Sequence, residues 1–293
     1  MTRPVRKAVF PVAGLGTRSL PATKTIPKEM LCVVDKPVIQ YAVEEAKAAG
    51  IEEFVFVTSR GKSALEDHFD RQFELEESLR ARGKDDALAA VRGAELPPGR
   101  YGFVRQAEPL GLGHAVWCAQ AMIGDEPFAV LLPDEVFRGP VSVLKQMVDV
   151  YDRLGGNVLA VREVEPALTA RYGILAVGGD DGRVAEVTGL VEKPKPKDAP
   201  SNLSIVGRYI LQPEVFDHLG RHETGAGGEI QLTDAMARLI GGQPFHGTRF
   251  EGDRFDCGDK AEFVAANVAF ALDRADLADG VRASVSAILG HRD

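Results

Sequence analysis

The chain is short of cysteine, of aromatic residues and of long apolar runs, and it has no surplus of positive charge. Its three cysteines, Cys32, Cys118 and Cys257, lie far apart. No CxxC pair and no Cys/His cluster with zinc spacing occurs, which argues against a disulfide framework and the common structural zinc sites. Scattered thiols of this kind are expected to be reduced, in a cytosolic compartment. No stretch approaches the ~20 apolar residues that a membrane-spanning helix needs. The apolar run after MTRPVRK is too short for a secretory signal and enters a glycine loop directly, so the protein is expected in the cytoplasm. Lysine and arginine number 35 against 43 acidic residues, for a formal net charge of -8. That balance argues against nucleic acid and membrane surfaces as partners, because both are polyanions. A small anionic substrate stays open if the site gathers positive charge locally.

What is present is a large apolar reserve. With 293 residues, 45% of them hydrophobic, the chain can bury a sizeable core as one domain or two intimate halves. AVFPV (8–12), FVFVT (54–58), FAVLLPDE (128–135) and NVLAVREV (157–164) read as buried strands. Pro37 to Ala49 reads as a helix with proline in its first turn and Gly50 past its end. Residues 62–92 read as charged and helical, and Val141 to Leu154 as a helix stopped by Gly155–Gly156. This alternation predicts an α/β fold with a parallel, doubly wound sheet. YGILAV (172–177), RVAEVTGLVEKP (183–194) and SIVGRYIL (204–211) are strand-like with short gaps and predict a smaller antiparallel portion. Residues 260–290 read as helical. KPKPKDAP (193–200) reads as a stiff, basic linker, and no internal repeat is evident.

The first strand runs into VAGLGTRSLPATKTIPKEM (12–30). A glycine loop at the carboxyl end of a strand is where open α/β sheets bind ligands, and its N–H groups can cradle phosphates. It is not a P-loop, because Gly-Lys-Ser/Thr is missing. A dinucleotide fingerprint fits at Gly14, Gly16 and Asp35, but Ser19 replaces the third glycine, and Pro21 and Pro27 prevent the immediate helix. The loop is expected to stay extended, which weakens a nicotinamide oxidoreductase reading. Arg18, Lys24 and Lys28 place three cations within eleven residues of an acidic protein. On the strand-end loop they look like a triphosphate clamp rather than a solvated basic stretch.

AGLGTR, followed by LPATKTIPKEML and VDKPVIQY, resembles the sugar-nucleotide pyrophosphorylases, and in detail the bacterial UTP–glucose-1-phosphate uridylyltransferases. The similarity runs over nearly the whole chain. It implies a Rossmann-like nucleotidyltransferase fold with a doubly wound mixed sheet, in a single domain over 1–293. A nucleotide-binding half would span 1–156, a sugar-phosphate-binding half 157–256, and C-terminal helices 257–293 could supply an oligomer contact. It implies UTP and glucose 1-phosphate as substrates, Mg²⁺ as cofactor, and a homodimer or homotetramer.

Residue by residue, the resemblance places Ala13, Gly14, Gly16 and Thr17 against the nucleotide. In RQAEPLGLGHAV (105–116), Gln106 and Gly111 would meet the uracil; a glutamine amide can both donate to and accept from a pyrimidine edge. His114 is expected to cap or pack. Asp134 in LLPDE and Asp256 in RFDCGD would hold Mg²⁺, which favours one or two carboxylates completed by phosphate oxygens and water. Glu135 stands where the family often has a second aspartate, which leaves the role of that acid open. Glu192 and Lys193 in VEKP would take the glucose hydroxyls and its phosphate, with Gly173, Val206 and Gly207 lying against the sugar.

The implied chemistry is in-line attack of the sugar phosphate on the α-phosphorus of UTP. A phosphate with its second pKa near ~6 is already ionised at neutral pH, so no general base is required. None is evident in the sequence. Arg18 and Lys28 would hold the leaving pyrophosphate, and Lys193 the nucleophile. Two alternatives stay open: a related enzyme using dTTP or another sugar phosphate, and a sugar-nucleotide-binding regulator without catalysis.

Overall fold

The computed structural model describes residues 2–290. Met1 and residues 291–293, the last three of the expected C-terminal helical segment, lie outside that range. Along the chain, β1 (Lys7–Pro11) enters the glycine loop, whose path is three single 3-10 turns rather than an extended run. Two short antiparallel strands, β2 (Cys32–Val33) and β3 (Lys36–Pro37), lead into α1 (Val38–Ala48) and β4 (Glu53–Thr58). The charged segment forms α2 (Ser63–Phe69), α3 (Phe73–Ala81) and α4 (Asp85–Ala94). Next come β5 (Tyr101–Arg105), α5 (Leu112–Cys118), α6 (Gln120–Ile123), β6 (Phe128–Leu131), β7 (Glu135–Arg138), α7 (Val143–Leu154) and β8 (Asn157–Glu163). β9 (Gly173–Asp180), β10 (Val184–Glu192) and β11 (Leu203–Leu211) follow, then α8 (Val215–Leu219) and α9 (Leu232–Leu239). The chain ends with β12 (Phe245–Arg249), β13 (Asp253–Asp256), α10 (Lys260–Leu272) and α11 (Ala278–Gly290).

One nine-stranded sheet runs β5-β4-β1-β6-β11-β8-β12-β10-β9. The first four strands are parallel, as the sequence predicts. They are apolar on both faces, as helices on either side require. Val9, Val55 and Val57 pack under α5, α8 and α9, while Ala8, Phe10, Phe54 and Phe56 pack under α1, α2 and α7. On the second face Phe10, Phe69 and Phe103 stack on Phe56 at centroid distances of 4.9–5.1 Å.

The antiparallel strands expected over 172–211 are present and are part of the same sheet. β11 runs antiparallel between β6 and β8, in the middle of the sheet. Residues on either side of position 156, expected as two halves of one domain, share this sheet. β9 and β10 form a curled hairpin: one end pairs with β12 (Val184↔Thr248), while its open end reaches β11 (Ser204↔Ile174). KPKPKDAP is not a linker, since Lys193 N–H donates to Tyr172 O and the segment tightens into a 3-10 turn at Pro196–Asp198 before β11.

Besides the short β2 and β3, the strands β7, β12 and β13 were not expected. β12 (FHGTR) is polar but lies beside β8, where Gly247 leaves room for Leu175, whose Cδ2 would be 2.8 Å from an added Cβ. β7 and β13 form a two-stranded ribbon with Asp256 opposite Glu135. α10 seats Phe263, Ala266 and Phe270 against Val33, Val38 and Tyr41. α11 buries no residue.

Candidate active site

The glycine loop leaves the sheet where Val12 N–H donates to Val57 O. Gly16 adopts φ 67°, and an added Cβ would lie 3.0 Å from Lys28 Cβ, so the turn needs glycine both for conformation and for space. Thr23 Oγ1 closes the loop on Gly16 O at 2.7 Å. Beneath the loop lies a buried pair that no motif in the sequence marks. The Lys62 ammonium donates to Val12 O, to Gly14 O at 2.7 Å and to Glu29 Oε2 at 2.8 Å. Burial lowers the Lys62 pKa and raises that of Glu29, each opposed by the partner's charge. Ser59 Oγ donates to Ala13 O at 3.0 Å.

At the mouth of the loop the expected cations and acids meet. Lys28 Nζ is 2.7 Å from Asp134 Oδ2, and Arg18 spans both aspartates, 3.4 Å from Asp134 and 3.8 Å from Asp256. Burial alone would raise the Asp134 pKa, but Lys28 and Arg18 outweigh it and hold the carboxyl below its usual range. Burial likewise pulls Lys28 down, and Asp134 and Glu29 outweigh it. Both groups are thus held charged. The β7–β13 ribbon makes the meeting possible, with Cys257 N–H donating to Asp134 O at 2.7 Å and Gly258 N–H to Asp256 Oδ1 at 2.9 Å. Glu135 is already occupied, accepting from Arg254 Nε at 2.7 Å and from Gly207 N–H at 3.1 Å. It braces the ribbon against the sheet.

Another arginine fixes the strand end itself. Arg208, fully buried, donates to Glu45 Oε2 and to the carbonyls of Leu132, Gly207 and Glu135, all within 2.8–3.1 Å. It shapes the LLPDE turn from inside.

Gln106 follows β5 and lies next to the ends of β4 and β1, its N–H donating to Thr58 O at 2.9 Å. Its amide nitrogen donates to Gly111 O and to His114 Nδ1, each at 3.0 Å. Both amide hydrogens are spent, so the expected two-way contact with a base narrows to acceptance at Oε1. His114 does pack, stacking on Trp117 at 5.6 Å, but it also holds the Gln106 amide. Burial, with His222 adding, lowers the His114 pKa and favours the neutral ring, whose Nδ1 accepts from Gln106 in the tautomer protonated at Nε2. Gly111 has φ 107°, and the segment is tied down by Ile230 N–H to Leu110 O at 2.7 Å and Gly113 N–H to Ile230 O at 2.8 Å.

On the other side Glu192 faces Gly173 across the β9–β10 pairing. Glu192 Oε2 accepts from Thr233 Oγ1 at 2.7 Å, and an added Cβ on Gly173 would press on both groups at 3.2 Å. Lys193 adopts φ 47°, a left-handed conformation strained for lysine, and its Nζ lies 3.3 Å from Glu192 Oε1. Tyr209 stands between the two sides: burial raises its pKa, and the charges of Glu135, Glu192 and Asp134 add to the shift. Lys193 itself makes no ion pair with Asp134 or Asp256 among the described residues. Val206 packs its side chain into the core under α1 and α7, which leaves its backbone as the part that could lie against a sugar. Gly207 is required by Leu132, whose Cβ would be 2.7 Å from an added Cβ.

The chain matches the family described as Nucleotidyl transferase over residues 7–271. It is 59% identical over 260 residues to the UTP–glucose-1-phosphate uridylyltransferase of Komagataeibacter xylinus, covering 89% of this chain and 92% of that one. A solved UTP-bound UGPase from Acinetobacter baumannii superposes with a TM-score of 0.88 at 41% identity, over 96% of this chain and 98% of that one. A UDP-glucose pyrophosphorylase complexed with UDP-glucose gives 0.82 at 41% identity, over 92% and 100%. The match spans nearly all of the nine-stranded sheet and every segment from the glycine loop to Asp256, and the chain belongs to the nucleotidyl transferase family.

Proposed function

We propose that this protein transfers the uridylyl group of UTP to glucose 1-phosphate, releasing pyrophosphate and forming UDP-glucose. The observation that carries the reading is the convergence of Arg18 and Lys28 on Asp134 and Asp256 at the mouth of the glycine loop. Two phosphates that repel each other react only where positive charge gathers. Curated relatives and nucleotide-bound neighbours with these names support the same assignment.

The two carboxylates suit Mg²⁺. They offer oxygen donors only, they already share one cation, and Mg²⁺ takes one or two carboxylates with phosphate oxygens and water. Bound by Asp134 and Asp256, the ion would neutralise charge on the nucleotide phosphates. Arg18 and Lys28 would hold the departing pyrophosphate. Lys193 holds the sugar phosphate, already ionised at neutral pH, in line with the α-phosphorus. Glu192, held by Thr233, accepts from sugar hydroxyls. Gln106 Oε1 accepts the N3–H of uracil, a proton that cytosine lacks.

The three free thiols suit a reducing cytoplasm. Among the described residues no helix is long and apolar enough to cross a membrane. The exposed Ile288 and Leu289 on α11 support a homo-oligomer contact there.

The deciding experiment is pyrophosphate release from UTP or dTTP paired with several sugar 1-phosphates, with and without Mg²⁺. Release should be fastest with UTP and glucose 1-phosphate and should vanish when Mg²⁺ is chelated. Faster turnover with dTTP would reassign the nucleotide. Tight binding of UTP without any release would mark a regulator.

A further inference from the structure

One buried charge pair has no part in the transfer just described. Lys62 is 7% exposed and Glu29 fully enclosed, and their charges meet at 2.8 Å. A buried ion pair is a poor route to stability, because apolar replacements of similar volume often do as well or better. Its effect on geometry is clearer. The ammonium draws in two carbonyls of one loop, those of Val12 and Gly14.

In a planar trans peptide the C=O and the following N–H point in opposite directions. Drawing in the Val12 and Gly14 carbonyls therefore turns the N–H groups of Ala13 and Leu15 away from Lys62. Ser59 takes the carbonyl between them, that of Ala13. Among the described residues, no backbone N–H from Ala13 to Arg18 donates to another group of the protein. Successive free N–H groups form an anion-binding concavity. Glu29 also stakes the far end of the loop: it faces inward to Lys62 while the adjacent Lys28 faces outward to Asp134.

We propose that Lys62, held by Glu29, is a positioning residue that sets the peptide orientation of the glycine loop so that its N–H groups face the nucleotide. This rests on UTP being the substrate.

The test uses Lys62→Met and the double variant Lys62→Met/Glu29→Gln in the full chain. Lys62→Met strands a buried carboxylate, so Tm falls; the KM for UTP rises about tenfold or more, within the range of about 100-fold that a small misplacement can cost. The KM for glucose 1-phosphate stays near that of the wild type. In the double variant the stranded charge is gone and Tm recovers, but the KM for UTP remains high because the loop carbonyls still lack their donor. A normal UTP KM in the double variant, or one that recovers in step with Tm, overturns the proposal. Should Lys62→Met fail to fold, the double variant decides alone. Wild-type protein that releases no pyrophosphate from UTP counts against the transfer reading; an active wild type with an unaltered double variant counts against this inference only.

Discussion

Glu192 can serve a sugar hydroxyl only if its carboxylate is held in one orientation, and Thr233 holds it from 41 residues away. A hydrogen bond to a charged group contributes about 1.5–3 kcal/mol. Thr233→Val keeps the shape and removes the donor, so the KM for glucose 1-phosphate should rise about 10- to 100-fold while the KM for UTP stays put, and Thr233→Ser should restore the glucose 1-phosphate KM. Equal losses in both KM values, tracking Tm, would reduce Thr233 to a packing residue. Arg18, Lys28, Asp134, Gln106 and Glu192 were legible as candidates because their type, their place at or beside a strand end and the surrounding motifs agree. Their supports were not. Glu29 finds Lys62 across 33 positions, Arg254 finds Glu135 across 119, and Arg208 finds Glu45 across 163. No periodicity marks such partners, since only the folded sheet brings them together.

At the level of elements, legibility followed apolar content. β1, β4, β6 and β8 are runs of buried residues and were found from sequence; β7, β12 and β13 are short, polar and were not. Yet the β7–β13 ribbon is what sets Asp256 beside Asp134. The bend that leads from β12 into β13 depends on Gly252, at φ 129°, where an added Cβ would lie 2.6 Å from Arg138 O. That backbone region is close to glycine-only and costs other residues about 1–3 kcal/mol. Gly252→Ala should therefore lower stability by about that amount and also reduce kcat, although the residue lies outside the proposed substrate contacts. Thermal melts beside steady-state kinetics check it: a lowered Tm with unchanged kcat would show that the ribbon does not set the aspartate pair. KPKPKDAP misled in the opposite direction. Its composition reads as a linker, but the Lys193 N–H is tied to Tyr172 O, which binds the segment to the sheet edge.

For the whole molecule, acid sets two effects against each other. The chain carries a formal charge of -8 at pH 7, so mild acidification relieves self-repulsion and favours the folded state. Against this, burial lowers the pKa of three imidazoles, His68, His114 and His246. Each binds its proton less readily when folded than when unfolded, so below about pH 6.5 the unfolded chain holds more protons and stability falls as pH drops. The loss begins at the ordinary imidazole pKa and grows until the lowered folded value is passed. Each tenfold difference in proton affinity between the folded and unfolded chain is worth about 1.4 kcal/mol. His68 separates the two effects, because Gln40 Oε1 lies 3.0 Å from its Nε2 and a glutamine there can keep that bond without titrating. Urea denaturation at pH 7.5 and pH 5.5 should show His68→Gln losing less stability on acidification than the wild type. If both lose equally, the half-buried imidazole of His68 does not contribute to acid sensitivity; if the wild type gains stability on acidification, relief of charge repulsion outweighs the histidines.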